Sequence, residues 1–268
     1  LVTYIDPAIE GEINPEDVRK AIQQNTKLIS IMYANNEIGS INPIKEIANI
    51  CNDNNILFHS DAVQCIGKMP IDLSNQKIDF ISIAAHKFYG PKSMGILYIS
   101  RENNIDPLFI GGGQEKGIRP GTENISLIAG MSLALEIATN NMEKNISHIS
   151  SMEKTLVEEL NKNNINYKIN GENRLPGLLN ISFYDIEGQT LLMNLDMAGI
   201  AISYGSACSS GSSKPSDVLI KIGIDEQIAQ NSVRISIGKF IKKDDILNLV
   251  DNIKMVIPES SKRIKNIG

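Results

Sequence analysis

Apolar positions follow two rhythms along this chain, and the change from one to the other marks out its elements. Positions 26–33 (TKLISIMY), 56–59 and 79–84 are short, dense apolar runs rich in β-formers, the pattern of strands buried on both faces of a sheet. Between them the spacing lengthens. Ile44, Ile47, Ala48 and Cys51 recur at i, i+3, i+4 and i+7 behind Pro43, which predicts an amphipathic helix with proline in its first turn. A further strand is expected at 95–99, after a Gly-Pro turn. Strand and helix in alternation predict an α/β fold with a mostly parallel sheet.

The later half reads differently. Positions 125–140 form an apolar-faced helical pattern and 142–163 a longer amphipathic one. Short strand patterns at 167–169, 178–183, 200–203 and 233–237 then mix with helical patterns at 188–198 and 243–256. That order suits a smaller α+β domain. The expected division is therefore 1–141, a large domain, and 142–268, a small C-terminal domain.

Composition narrows the class. With 268 residues, 42% of them hydrophobic, the chain can bury a substantial core. A net charge of -5 argues against nucleic acid or an anionic membrane as the main partner. No apolar run approaches the roughly 18 residues of a membrane span, and the first ten positions lack the basic-then-apolar form of a signal peptide, so the chain reads as cytoplasmic. Three cysteines without a Cys-x-x-Cys pair, and three histidines (His59, His86, His148), argue against a disulfide framework or a zinc cluster.

The chemistry centres on Lys87, which sits between the apolar strand pattern 81–85 and the turn Gly90-Pro91. A lysine so placed is partly desolvated, which favours the neutral amine able to form a Schiff base; standing alone, it would more often be a solvated strand-end residue. Its company changes that balance. Asn36, Asp61 and Lys87 each follow an apolar strand, and parallel strands would gather all three at the carboxyl edge, where open α/β sheets bind ligands. An aspartate to keep a pyridine nitrogen protonated and a lysine to hold an aldehyde are what a pyridoxal phosphate site needs.

Five motifs, in order, carry a family likeness. Asn35-Asn36-Glu37-Ile38-Gly39, His59-Ser60-Asp61-Ala62-Val63-Gln64, Ala85-His86-Lys87 with Gly90-Pro91-Lys92, Gly111-Gly112-Gly113-Gln114-Glu115 with Arg119-Pro120-Gly121-Thr122, and Gly205-Ser206-Ala207-Cys208-Ser209-Ser210-Gly211 together resemble the cysteine desulfurases of the class V aminotransferase family, in their long catalytic-loop form. The resemblance runs from the first residues to about position 241. It implies a large domain of the pyridoxal phosphate-dependent transferase fold (fold type I) and a homodimer. It also implies that this chain lacks roughly the first third of such an enzyme, with the glycine-rich turn and helix N-terminus that cradle the cofactor phosphate.

Residue by residue, the resemblance implies that Lys87 holds the cofactor and Asp61 pairs with its ring nitrogen. Gln64 would bond the ring hydroxyl, and Asn36 the same hydroxyl or the substrate carboxylate. His86 would carry protons, Thr122 would reach the phosphate in the other subunit, and Arg234 would bind the carboxylate of L-cysteine. Arg234 lies opposite Val233, Ile235 and Ile237 by the period-2 alternation of a strand, and its planar fork suits a bidentate carboxylate contact. Cys208 stands in a serine-rich run that cannot pack a core, whereas Cys51 and Cys65 have apolar neighbours. In the family this cysteine takes sulfur from the substrate, leaving alanine and a persulfide for a sulfur-acceptor protein such as an iron–sulfur scaffold. No resident metal is expected, with Cys208 at most a transient iron–sulfur ligand.

Two positions depart from the family. Ala84 and Ala85 stand where relatives commonly have a phosphate-contacting serine, with Ser82 one pleat further away, and Ser93 replaces the usual glycine after Gly90-Pro91-Lys92. Rival readings are a selenocysteine lyase or other class V enzyme, which the Cys208 run disfavours, and a non-catalytic remnant or partner-binding subunit.

Overall fold

The computed structural model describes residues 1–205 and 215–257. They form two compact units: Val18–Tyr33 with Pro43–Met142, and Leu1–Asp17 and Ala34–Asn42 with the residues from Glu143 onward.

The first unit is built on a four-stranded sheet in the order β1 (Leu28–Ser30), β2 (Leu57–Asp61), β3 (Phe80–Ala84), β4 (Gly95–Ile99). β1, β2 and β3 run parallel, and β4 returns antiparallel to β3. The helix behind Pro43 is α2 (Ile44–Asp53); it buries Ile44, Ile47, Ala48 and Cys51 and packs on β2. A helix α1 (Pro15–Ala21) precedes the sheet. The strand expected at 26–33 is shorter than its apolar run, although pairing continues beyond it through Tyr33 N–H to the Asp61 carbonyl at 2.8 Å. Burial is also mostly one-sided. Phe58, Ser60 and Ile81 are covered, while on the other face Phe80 is buried but Leu28 (52% exposed), Leu57 (39%) and Leu97 (48%) are open among the described residues. α3 (Ile125–Asn140) closes the unit by packing Met131 and Ala138 against Ala85 and Phe88.

The second unit holds an antiparallel sheet, β5 (Tyr167–Asn170), β6 (Leu178–Phe183), β8 (Ser232–Ser236) and β7 (Ser203–Tyr204), in that order. One face is apolar: Leu179, Ile181, Phe183, Val233 and Ile235 pack with α4 (Met142–Lys162), α5 (Gly188–Met197) and α8 (Lys243–Val256). The other face is polar and also buried. Asn170, Asn180, Ser182 and Ser232 lie on it, bonded to one another, and Ser232 donates to the Ile228 carbonyl of α7 (Glu226–Gln230).

The expected division into 1–141 and 142–268 differs in its first part, because 1–17 and 34–42 fold with the later residues. The cause is long-range. Ile38, fully buried, packs with Leu219 of α6 (Asp217–Lys221), Ile222 and Ala229, a burial that contributes about 2 kcal/mol. Leu175 N–H also donates to the Gly39 carbonyl, and Ile41 N–H to that of Asn173. No local periodicity signals such contacts.

Candidate active site

In the parallel-sheet unit, β2 and β3 end side by side, with Asp61 registered against Ser82. Their carboxyl edge carries Asp61, Gln64, His86 and Lys87. Asp61 is exposed; its Oδ1 accepts the Val63 N–H at 2.9 Å, and among the described residues its other oxygen has no hydrogen-bond partner. Ala62, fully buried, starts the turn after it. Gln64 is half-buried and accepts a bond from Lys68 at 3.3 Å through its carbonyl oxygen.

Lys87 lies in the short 3-10 turn Ala85–Phe88 that directly follows β3. The turn is held from below, where Ala85 and Phe88 are sunk against α3 while His86 is exposed and Lys87 half-buried. Tyr89, in the left-handed region at φ 67°, ends the turn and lets the Gly90 N–H return to the Ala85 carbonyl. Only glycine fits at 90: a Cβ there would stand 2.9 Å from the Ala85 oxygen. Packing thus fixes two residues of the turn and leaves the two chemical ones at the edge.

Ser82 shares the face of Asp61 and Ala84, but its hydroxyl is engaged. His59 bridges three strands, Nδ1 with the Ser30 hydroxyl at 2.8 Å and Nε2 with that of Ser82 at 2.9 Å. Burial lowers the His59 pKa from 6.5, against a smaller opposing pull from Asp61, so the imidazole is neutral at pH 7. Nothing in the sequence context gives His59 a role; its signal is a histidine inside an apolar strand pattern.

Thr122 is exposed, on the segment 111–124 that also carries Gln114, whose side-chain oxygen accepts the Gly121 N–H at 3.3 Å. Cys51 and Cys65 are buried free thiols. Burial pushes both up to about 12, so neither is a nucleophile at neutral pH. Cys208 lies outside the described residues. Among those residues, no three metal-ligating side chains cluster.

In the antiparallel-sheet unit, Arg234 stands mid-strand on the face opposite Val233 and Ile235. Its Nη1 donates to the Asn36 carbonyl at 3.0 Å and its Nη2 to the Ser203 hydroxyl at 3.1 Å, while Nε is buried with no partner. The structure therefore brings Asn36 and Arg234 together through the Asn36 main chain. Ser203 and Glu37, the latter beside Asn36, were not read as site residues from the sequence.

A profile of the family described as "Aminotransferase class-V" matches residues 1–249. The chain belongs to that family. "Cysteine desulfurase IscS" of Dictyoglomus turgidum is 42% identical over 258 residues, covering 96% of this chain and 66% of that protein. A solved "NifS-like protein" is similar at a TM-score of 0.87 and 36% identity, over 95% of this chain and 67% of that one. A structure titled "SspA in complex with cysteine" is similar at 0.74 and 36%, over 90% and 67%. These relatives set the chain among the cysteine desulfurases of the class V family, and it spans about two thirds of their length.

The cofactor of that family is pyridoxal phosphate, and the edge of the parallel sheet fits its ring end. Asp61 has a carboxylate oxygen to spare, Lys87 an amine on a braced turn, and Ala62 offers little bulk. The phosphate end is served by neither Ala84 nor Ser82, since the first has no hydroxyl and the second is bonded to His59.

Proposed function

We propose that the whole protein of this chain is a cysteine desulfurase that moves sulfur from L-cysteine to Cys208. The observation that carries this reading is the placement of Asp61 and Lys87 at the ends of adjacent parallel strands, the one a carboxylate with an oxygen to spare and the other an amine on a packed turn. Family membership and the neighbour solved with cysteine support the substrate.

In this reading Lys87 holds the cofactor through its amine, Asp61 keeps the ring nitrogen protonated, and Gln64 turns its amide toward a ring oxygen. When bound, pyridoxal phosphate supplies the electron sink that lets cysteine part with its sulfur. Arg234 binds the substrate carboxylate, with Asn36 beside it. The thiolate of Cys208 attacks the substrate sulfur; the Cβ–S bond breaks as an S–S bond forms, and His86 delivers the proton that completes alanine. Cysteine plus enzyme thiol thus become alanine plus enzyme persulfide. An acceptor protein then takes the sulfur, for iron–sulfur assembly or thio-modification.

The protein acts as a homodimer in this reading, with Thr122 serving the partner's site. What supports a second copy is uncovered apolar surface beside that segment: Leu108 is 86% exposed, Phe109 58% and Ile110 100%.

The test is to incubate the cofactor-loaded, full-length polypeptide with L-cysteine, quantify alanine and map persulfide by mass spectrometry. Equimolar alanine and a label on Cys208 are expected. A label on Cys51 or Cys65, or undiminished sulfide release by Cys208→Ser, would refute the mechanism.

A further inference from the structure

The turn that carries Asn36 is tied down by its neighbour. Glu37 is 7% exposed, and its Oε2 accepts a hydrogen bond from the Ser216 hydroxyl, itself 3% exposed. That hydroxyl is used twice, since it also accepts the Leu219 N–H as the N-cap of α6. On the other side of the turn, Asn35 Oδ1 accepts the N–H groups of Glu37 and Ile38 at 2.8 and 3.0 Å. Ile38 then anchors the turn in the cluster with Leu219, Ile222 and Ala229. Between these ties lies Asn36, whose carbonyl receives Arg234 Nη1. Ionised side chains are seldom buried unless a partner holds them, and packing Ile38 alone would have served to seat the turn.

We infer that Glu37 is a positioning residue: through Ser216 it sets the Asn36 carbonyl, and so the angle at which the Arg234 guanidinium meets the substrate carboxylate. The chain of contacts runs Ser216 to Glu37, main chain to Asn36, carbonyl to Arg234, with Ser203 steadying the other end of the guanidinium. Glu37 touches no substrate in this scheme. Its effect is on binding, because a misdirected guanidinium loses the bidentate contact in the ground state and the transition state alike. The inference rests on the reading of Arg234 as the carboxylate partner.

The test uses the cofactor-loaded, full-length polypeptide, with KM and kcat for L-cysteine, the cofactor absorbance band and Tm measured for each variant. Glu37→Ala should raise KM about tenfold, the scale of a lost charge-assisted hydrogen bond, with kcat and the cofactor band little changed. Glu37→Gln, whose amide oxygen still accepts from Ser216, should keep KM near its starting value. Ser216→Asp separates locking from capping, because aspartate still caps α6 yet faces Glu37 with a like charge; it should behave as Glu37→Ala does. Combining Glu37→Gln with Ser216→Asp restores a donor and an acceptor and should bring KM back, a rescue that loss of stability alone would not show. If Glu37→Ala and Ser216→Asp keep KM while Arg234→Lys raises it, the positioning role is wrong. If Arg234→Lys also leaves KM unchanged, the reading of Arg234 is what fails. Should Glu37→Ala not fold, Ser216→Asp with and without Glu37→Gln decides the matter, and an unrescued KM overturns the inference.

Discussion

The two sheets carry their chemistry in opposite ways. In the parallel sheet, Asp61 is the last residue of its strand and His86 and Lys87 sit just past theirs, exposed or half-buried, while Ala85 and Phe88 pack against α3. In the antiparallel sheet, Arg234 is mid-strand, already engaged by Asn36 and Ser203, on a face whose other polar residues are buried and mutually bonded. A strand end can present a reactive group without burying polar atoms, because the ladder stops there. A mid-strand cation has no such outlet and must find its partners in the fold: Nη1 and Nη2 have them, while Nε is buried without one. The first arrangement leaves groups free to react, and the second fixes one group for recognition.

The sharpest way to break this comparison is at Lys87. Lys87→Ala in the cofactor-loaded, full-length polypeptide is expected to abolish the borohydride-trapped cofactor adduct and sulfide release together. The fold should survive, since Ala85 and Phe88 hold the turn. Mass spectrometry of the reduced protein checks it; an adduct on another lysine would refute the assignment.

A smaller, purely structural effect is expected in the other sheet. Ser182 is fully buried and bonded to Asn170 at 2.8 Å and Ser232 at 2.7 Å. Ser182→Ala should cost about 1–3 kcal/mol in urea unfolding, because its partners lose a bond they cannot replace with water. Ser30→Ala, at the exposed end of the His59 bridge, should cost under about 0.5 kcal/mol. Equal costs would mean that the two networks are not differently built.

What could be read from the residues follows the same division. Strand-end groups were legible because a turn signal marks where an apolar run stops, and Asp61 and Lys87 fall on that mark. Arg234 was legible through the alternation of Val233, Ile235 and Ile237, which set it on the other face. That this face is buried was not legible. Its cover comes from the turn at 34–42 and from α6 and α7, five residues each, too short for a helical period. The Glu37 and Ser216 bond spans 179 positions, and no pattern along the chain links two such residues. The bridging role of His59 was not legible because its partners stand on neighbouring strands, where only register brings them within reach.

Ser93 sharpens the picture of the Lys87 turn at modest scale. It holds φ 65° in the left-handed region, where relatives were expected to have glycine. An L side chain there costs roughly 1–2 kcal/mol, of which glycine's greater freedom in the unfolded chain takes back part. Ser93→Gly is therefore expected to raise stability by about 0.5–1 kcal/mol, seen as a higher urea midpoint at unchanged slope. A lower midpoint would mean that the side chain contributes more than its conformation costs.

The smallest effect separates the units by the sign of their pH dependence. His59 has its pKa lowered from 6.5 by burial, so the unfolded chain takes up the proton first as pH falls. The contribution of His59 to the stability of the parallel-sheet unit is then complete above 6.5 and declines as pH drops from there toward the folded pKa. Glu153 of α4 behaves oppositely. Burial raises its pKa from 4.5, against the pull of the Gly177 N–H and of Arg174, so the folded form holds its proton longer. Its contribution is complete below 4.5 and lost as pH rises through the folded pKa. Urea unfolding of wild type, His59→Gln and Glu153→Gln between pH 7.5 and about 4 would check both signs. His59→Gln should flatten the decline that begins below 6.5, and Glu153→Gln should gain on wild type as pH rises above 4.5. Parallel curves for all three chains would show that neither burial is linked to folding.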